Sequence, residues 1–305
     1  MSLLLERAPS RAPVRPAAPA MERGSAPDRL RRFVGGRSDD AVVLSRTSAD
    51  LMRLFAAGAP ADVVVLAGHP GLPGARIVEP AATIDGTVAA LEAELVARPA
   101  ALVVITASSD VTGEVLPAGR FASAAHRHGA RIVVDAEHLV AHRAVSIASW
   151  GIDYVLFSSR ELDALFDVHV LVGRGDWLAP VAARSEPGGV AVGAVAASAE
   201  ALVSLGFEEL GYREQALHQR LDRGFAAVPG VRRMQNFDDP LDRAGVYAFI
   251  VDGHSAVEVV EHLSVRHGVG VCRAQPSGVI RVSTGLGTTV DDVDRLVFAV
   301  RALTS

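Results

Sequence analysis

Between Phe157 and Leu162 the chain reads FSSREL, an apolar run that ends in two serines, an arginine and a glutamate. Upstream, RIVVD ends at Asp135 with His138 close behind; downstream come Asp167 and His169, then Arg281 inside VIRVSTG, while SSDVTG carries Asp110. Where a fold brings carboxylates and imidazoles together in a cleft they can transfer protons, which makes Glu161, His138 and Asp135 the candidate catalytic groups. Arg160 and Arg281 carry the planar fork that grips a carboxylate or phosphate at two points. Ser48 opens a helix directly after a strand, a place where free backbone amides meet anions. Each residue also has a plainer reading. Asp135 can cap the turn after its strand, and Arg281 can be an alternate residue on an exposed strand face. The set Arg160, Glu161, Asp110 and Asp167 can neutralise itself, since buried charges need partners. Asp167 with His169 supplies two ligands where a transition metal wants three or four, so no metal is expected.

All 30 basic residues are arginine, and the chain has no lysine. GC-rich codon usage, in a chain also heavy in Ala, Gly and Val, explains most of that depletion; escape from lysine modification is the alternative. Either way, no side chain here can form a Schiff base with an aldehyde cofactor. Residues 1–37 carry a charge of +5 within a net charge of −5, leaving about −10 for the body. A basic tail on an acidic, aromatic-poor body gives nucleic acid no platform, so no nucleic-acid partner is expected. The apolar runs are short, which predicts no membrane span. The lone Cys272 excludes an intramolecular disulfide and fits a reducing cytoplasm.

Patterning supplies the scaffold. The Pro/Ala/Arg-rich residues 1–29 read as a flexible tail. Short β-rich runs (AVVLSR, DVVVLAG, ALVVIT, RIVVD, DYVLFS, VHVLVGR) then alternate with amphipathic helices through residues 30–189. This order predicts a large α/β domain with a mostly parallel sheet and a ligand site at the carboxyl ends of its strands. Residues 190–228 read as connecting helices, and residues 229–305 as a smaller α+β domain.

The segments SSDVTGEVLP, RIVVDAEHLVAHR, FSSREL, LVGRGDW and VIRVSTGLGTTVDDVDRLV resemble, in order and spacing, the cysteine desulfurase-like branch of the class V aminotransferases. The resemblance covers most of Leu30 to Leu303 and implies the fold-type I architecture of pyridoxal phosphate enzymes. Missing are the family's opening segment, most of the loop after Trp177 and much of the loop before Arg281. By the same resemblance, Asp135 matches the carboxylate that meets the pyridinium nitrogen. Ser158 matches a phosphate-binding serine, Arg281 the arginine that holds a substrate carboxylate, and His142 a structural histidine. The departures cluster. Glu161 replaces the Schiff-base lysine, Arg160 a histidine, Asp110 an asparagine and His138 a glutamine that touches the cofactor hydroxyl. Asp167 and His169 replace two glycines, Ala107 the ring-stacking residue and Ala49 a common second hydroxyl. Cys272 falls one position early for the persulfide cysteine and reads as a core residue. RSEPGG, Arg184 to Gly189, resembles a segment near the neighbouring subunit's cofactor, which implies a homodimer with composite pockets.

These departures point to an enzyme that works without a cofactor. It would do acid–base chemistry of the lyase, isomerase or cyclase type on a small carboxylate- or phosphate-bearing molecule in a specialised biosynthetic pathway. Arg281, Arg160, Ser158, Ser48, Asp110 and His169 would bind the substrate. Two other readings stand beside it. One is a non-catalytic ligand-binding homologue, or a partner of an active paralogue. The other is an enzyme that holds pyridoxal or pyridoxamine phosphate without a covalent bond.

Overall fold

A computed structural model describes residues 24–58, 62–69, 72–162, 164, 167–182, 189–274 and 278–304. The chain enters through α1 (Ala26–Phe33), where Ser25 and Asp28 cap each other reciprocally and Pro27 sits in the first turn. This helix begins inside the segment expected to be a flexible tail. It is held because Leu30 is fully buried and Arg29 pairs with Glu200 on a later helix.

β1 (Asp40–Ser45) leads through Thr47 into α2 (Ser48–Gly58). Next come β2 (Val63–Leu66), β3 (Arg76–Val78) and α3 (Ile84–Ala97), the last capped by Thr83, whose hydroxyl accepts from Gly86 N at 3.1 Å. β4 (Leu102–Thr106), α4 (Ala118–Arg127), β5 (Arg131–Asp135), the short α5 (Ile147–Trp150) and β6 (Tyr154–Ser158) continue the alternation. β7 (His169–Arg174) and α6 (Gly175–Ala182) close the large domain.

The seven strands form one sheet in the order β1-β7-β6-β5-β4-β2-β3. The pairs from β6 through β3 are parallel, and β7 is antiparallel to both β6 and β1. The central strands are buried runs because both faces are covered. Side chains alternate between faces. Val103, Ile105, Val134, Val155 and Phe157 pack on one side under α1, α3 and α4, while Val104, Val133, Tyr154 and Leu156 pack on the other with Leu51 and Phe55 of α2. Each such fully buried aliphatic or aromatic side chain contributes roughly 2 kcal/mol.

Two long helices, α7 (Gly189–Leu205) and α8 (Phe207–Ala226), lead to a second, four-stranded antiparallel sheet. Its strands are β8 (Val231–Arg233), β9 (Val246–Val251), β10 (Cys272–Ala274) and β11 (Val279–Ser283), in the order β10-β11-β9-β8. Between them, α9 (Ala256–Glu261) runs into a π-helical turn at His262–Arg266, and α10 (Val290–Thr304) ends the described chain. Tyr247, Phe249, Val251, Ile280 and Val282 bury one face of this sheet against α8, α9 and α10. Alternation therefore turns Arg281 and its cross-strand neighbour Ala248 to the opposite face. Among the described residues, no single helix is long and apolar enough to cross a membrane.

Candidate ligand site at the strand ends

Parallel pairing brings the carboxyl ends of β4, β5 and β6 together, with Thr106 in register with Asp135 and Asp135 with Leu156. This is where open α/β sheets bind their ligands. Asp135 caps the following turn, its Oδ1 accepting from Glu137 N at 2.9 Å. Its Oδ2 lies 3.3 Å from Nε2 of His69, a buried imidazole just beyond β2. His69 is not among the residues singled out from the sequence. Its signal was a histidine at the same end of a buried strand as the other candidates.

Three buried polar atoms on or just beyond these strands, Thr106 Oγ1, Ser108 Oγ and His138 Nε2, and Nε of Arg281 on the second sheet have no hydrogen-bond partner among the described residues. Folded proteins rarely leave such atoms unpaired, because each costs the desolvation of a polar group. Burial pushes the His138 pKa down to about 3, with the charges of His142 and Arg281 acting in the same direction. Arg281 thus stands close enough to the first sheet for its charge to act on His138. It acts on Glu161 as well.

Glu161 lies in a single 3₁₀ turn, Arg160–Leu162, directly after β6. The residue is exposed at the rim, yet burial around its carboxyl pushes its pKa up against the opposing pull of His142 and Arg281. Arg160 is 72% exposed and pairs with the half-exposed Asp167 at 2.8 Å. The plainer reading that Arg160 is neutralised by Asp167 therefore holds for that pair, but at the surface and not in the interior. Asp110 sits on an exposed turn. His169 Nδ1 lies 2.6 Å from Oε1 of Glu137, a carboxylate that accepts from it, and its Nε2 stands 3.7 Å from Asp167. Glu137 is a second member that the sequence reading missed. Ser158 is buried at the end of β6. Ser48 is the first residue of α2, but the cap is Thr47, whose hydroxyl accepts from Asp50 N at 3.0 Å. Cys272 is half-buried and opposite Arg281 in the sheet. The RSEPGG segment lies outside the described residues, apart from Gly189 at the start of α7.

The two sheets are tied beside this site. Glu214 of α8 meets His142 Nδ1 at 2.5 Å and Arg143 at 2.7 Å, and Arg143 reaches Asp242 at 2.8 Å. Burial alone would raise the Glu214 pKa, but the bonds from His142 and Arg143 outweigh it and hold the carboxyl below its ordinary range. Gly245 has φ of +65°, and a Cβ there would meet the His142 ring at 2.3 Å. Only glycine allows that approach. A second buried carboxylate, Glu114, accepts from Asn236 N at 2.7 Å, Phe237 N at 3.2 Å and the Thr112 hydroxyl at 2.7 Å.

A model of the Aminotransferase class-V family matches residues 56–198. A cysteine desulfurase of Klebsiella pneumoniae is 27% identical over 240 residues, covering 66% of this chain and 58% of the relative. A probable cysteine desulfurase of Mycolicibacterium paratuberculosis is 25% identical, covering 90% of this chain and 48% of the relative. The chain therefore spans about half the length of the curated relatives it matches. The crystal structure of a cysteine desulfurase from Escherichia coli superposes with a TM-score of 0.77 at 20% identity, covering 91% of this chain and 82% of the other. The likeness in structure establishes the fold.

These findings correct the expectation of a cofactor-free acid–base enzyme and the accompanying expectation of no cofactor. The relatives are named cysteine desulfurases, and the matching family is the one whose resemblance implies pyridoxal phosphate. Reading a cluster of substituted side chains as the loss of the cofactor went beyond what they show. The strand-end residues fit such a group as a non-covalent guest. Asp135 presents a carboxylate at the end of β5, in register with Thr106, whose buried Oγ1 has no partner among the described residues. Position 161 offers a carboxyl where an amine would be needed for a covalent bond. The chain is similar to the cysteine desulfurase-like branch of the class V aminotransferase family, whose model matches residues 56–198.

Proposed function

We propose that this chain binds a pyridoxal phosphate-type cofactor without a covalent bond and acts on a small amino-acid-like substrate bearing a carboxylate. The observation that carries the reading is the carboxylate of Asp135 at the strand ends together with buried polar atoms left unpartnered on or just beyond β4 and β5, namely Thr106 Oγ1, Ser108 Oγ and His138 Nε2. When bound, such a group acts as an electron sink for bonds broken beside it. The chain's own part is to hold and orient. Asp135 favours a protonated ring nitrogen, and His69 keeps its second oxygen in place. Arg281 offers its guanidinium to a carboxylate. Glu161, whose carboxyl takes up protons more readily than an ordinary glutamate, can hold or release a proton at the rim.

The experiment is equilibrium dialysis of purified protein against pyridoxal 5′-phosphate and pyridoxamine 5′-phosphate. Borohydride treatment and intact-mass measurement of the protein follow. Saturable binding of either compound with unchanged protein mass supports the reading. Absence of saturable binding, or a covalent adduct within the pocket, overturns it.

A further inference from the structure

His267 follows His262 by five residues, a spacing that in an α-helix turns two side chains about 140° apart. Here the rings meet, because His262–Arg266 is wound as a π-helical turn, closed where His267 N donates to the carbonyls of Leu263 and Ser264. Such turns are rare and recur at functional sites. Leu263 is fully buried in the core of the second sheet and anchors the turn, while the His267 ring meets Phe298 of α10 edge-on at 6.0 Å. Both histidines are half-buried, so neither ring is sealed in the core.

The two Nε2 atoms lie 3.2 Å apart. The plain reading is one hydrogen bond, one ring donating to the other. A straight bond of that length would hold the ring centroids roughly 5.5 Å apart, and such bonds prefer to be straight. The centroids lie 5.0 Å apart with the rings inclined at 42°, so the approach is bent and both nitrogens can face one point beside the line between them. Zinc held tetrahedrally at about 2.0–2.1 Å from each of two imidazole nitrogens sets them about 3.3 Å apart. The observed separation matches that edge.

We propose that His262 and His267 form a two-imidazole chelate for a divalent transition-metal ion of the zinc type, with water in its remaining positions. Imidazole nitrogen suits such ions, whereas Mg²⁺ and Ca²⁺ want oxygen. Among the described residues no group of three or more His, Cys, Asp or Glu side chains could hold a metal, so the site offers two ligands and an open coordination sphere. Asp167 and His169 also offer two, but there the nitrogen and oxygen stand 3.7 Å apart and the ring is engaged by Glu137. At 262 and 267 both ligands are imidazoles, and a single turn of backbone holds them together. The site lies in the helical layer of the second sheet and does not depend on the cofactor reading.

The test uses the untagged full-length chain and zinc chloride alone, in a non-coordinating buffer at about pH 7.5, where an ordinary imidazole is mostly neutral. Calorimetric titration should show a saturable event that His262→Gln and His267→Gln each weaken at least about tenfold. Glutamine can keep a hydrogen bond to the remaining ring but is not among the usual zinc ligands, so these variants separate a chelate from a bare ring–ring bond. Magnesium chloride at the same concentration should not displace the zinc. Long-range nitrogen–proton spectra of histidine-labelled wild type should show zinc moving two Nε2 resonances together, a readout that survives if a variant fails to fold. Zinc binding unchanged in both variants would overturn the proposal. So would a wild-type titration without a saturable event, or saturation that leaves the Nε2 resonances of these two rings unmoved.

Discussion

Two buried imidazoles make the stability of this chain sensitive to mild acid. His138 is held neutral by burial and by the charges of His142 and Arg281, against the Ala244 carbonyl and Glu214, and its pKa falls to about 3. His218, buried in α8 and 3.0 Å from the Thr284 hydroxyl, falls to about 4 through burial and Arg233 and Arg243, opposed by Glu214 and Asp222. In the unfolded chain both take up protons near pH 6.5. Between that value and the folded pKa values, the unfolded state binds more protons, so stability falls as pH falls. At pH 5 the linkage amounts to about 2 kcal/mol for each imidazole, or about 4 kcal/mol together relative to pH 7. Other groups titrate too, so the measurement is a difference. Urea unfolding followed by circular dichroism at pH 7, 6 and 5 is compared between the wild type and the double variant His138→Gln, His218→Gln. The gap in unfolding free energy between the two should shift by about 4 kcal/mol across that range, in favour of the variant at low pH. Parallel curves would show that the rings titrate normally in the fold and would refute the reasoning.

Glu214→Ala removes the carboxylate that joins α8 to His142 and Arg143, and should lower stability by about 3 kcal/mol in urea unfolding at pH 7. Arg160→Ala breaks only the exposed pair with Asp167, so its unfolding free energy should stay within about 1 kcal/mol of wild type. A homodimer with composite pockets is the expected assembly; sedimentation velocity at micromolar concentration should give a dimer, and a monomer would favour a separate partner completing the site.

The strands and most helices were legible because their signals are local. The β-branched runs of β4, β5 and β6 and the threonine cap of α3 each announce themselves within a few residues. α1 was missed although Ser25, Pro27 and Asp28 form a capping pattern, because the surrounding Pro/Ala/Arg composition masked it. Asp135 and Arg281 were singled out by the family resemblance and their places at or within strands. His69 and Glu137 were not, since what makes them notable is contact with Asp135 and His169, and such contacts depend on the tertiary fold. The pairing of Arg160 with Asp167 forms, but its exposure was not legible for the same reason. Charge clustering in sequence says nothing of exposure, and Arg160 points to solvent. The functional overreach had a different origin. A cluster of substitutions, with Glu161 for the lysine and Ala107 for the stacking residue, was taken as a missing cofactor, although a covalent bond is only one of the ways a pocket holds its guest.

The central claim is that Asp135 anchors a pyridine-type cofactor that no covalent bond secures. Titration calorimetry of the wild type and Asp135→Asn with pyridoxal 5′-phosphate addresses it directly, since the amide keeps the shape and the acceptor for Glu137 N but loses the charge. Loss of one charge-assisted hydrogen bond, about 1.5–3 kcal/mol, predicts binding weakened by roughly 10- to 100-fold in the variant. Equal affinity in the two proteins, or no saturable binding to the wild type, would contradict the account.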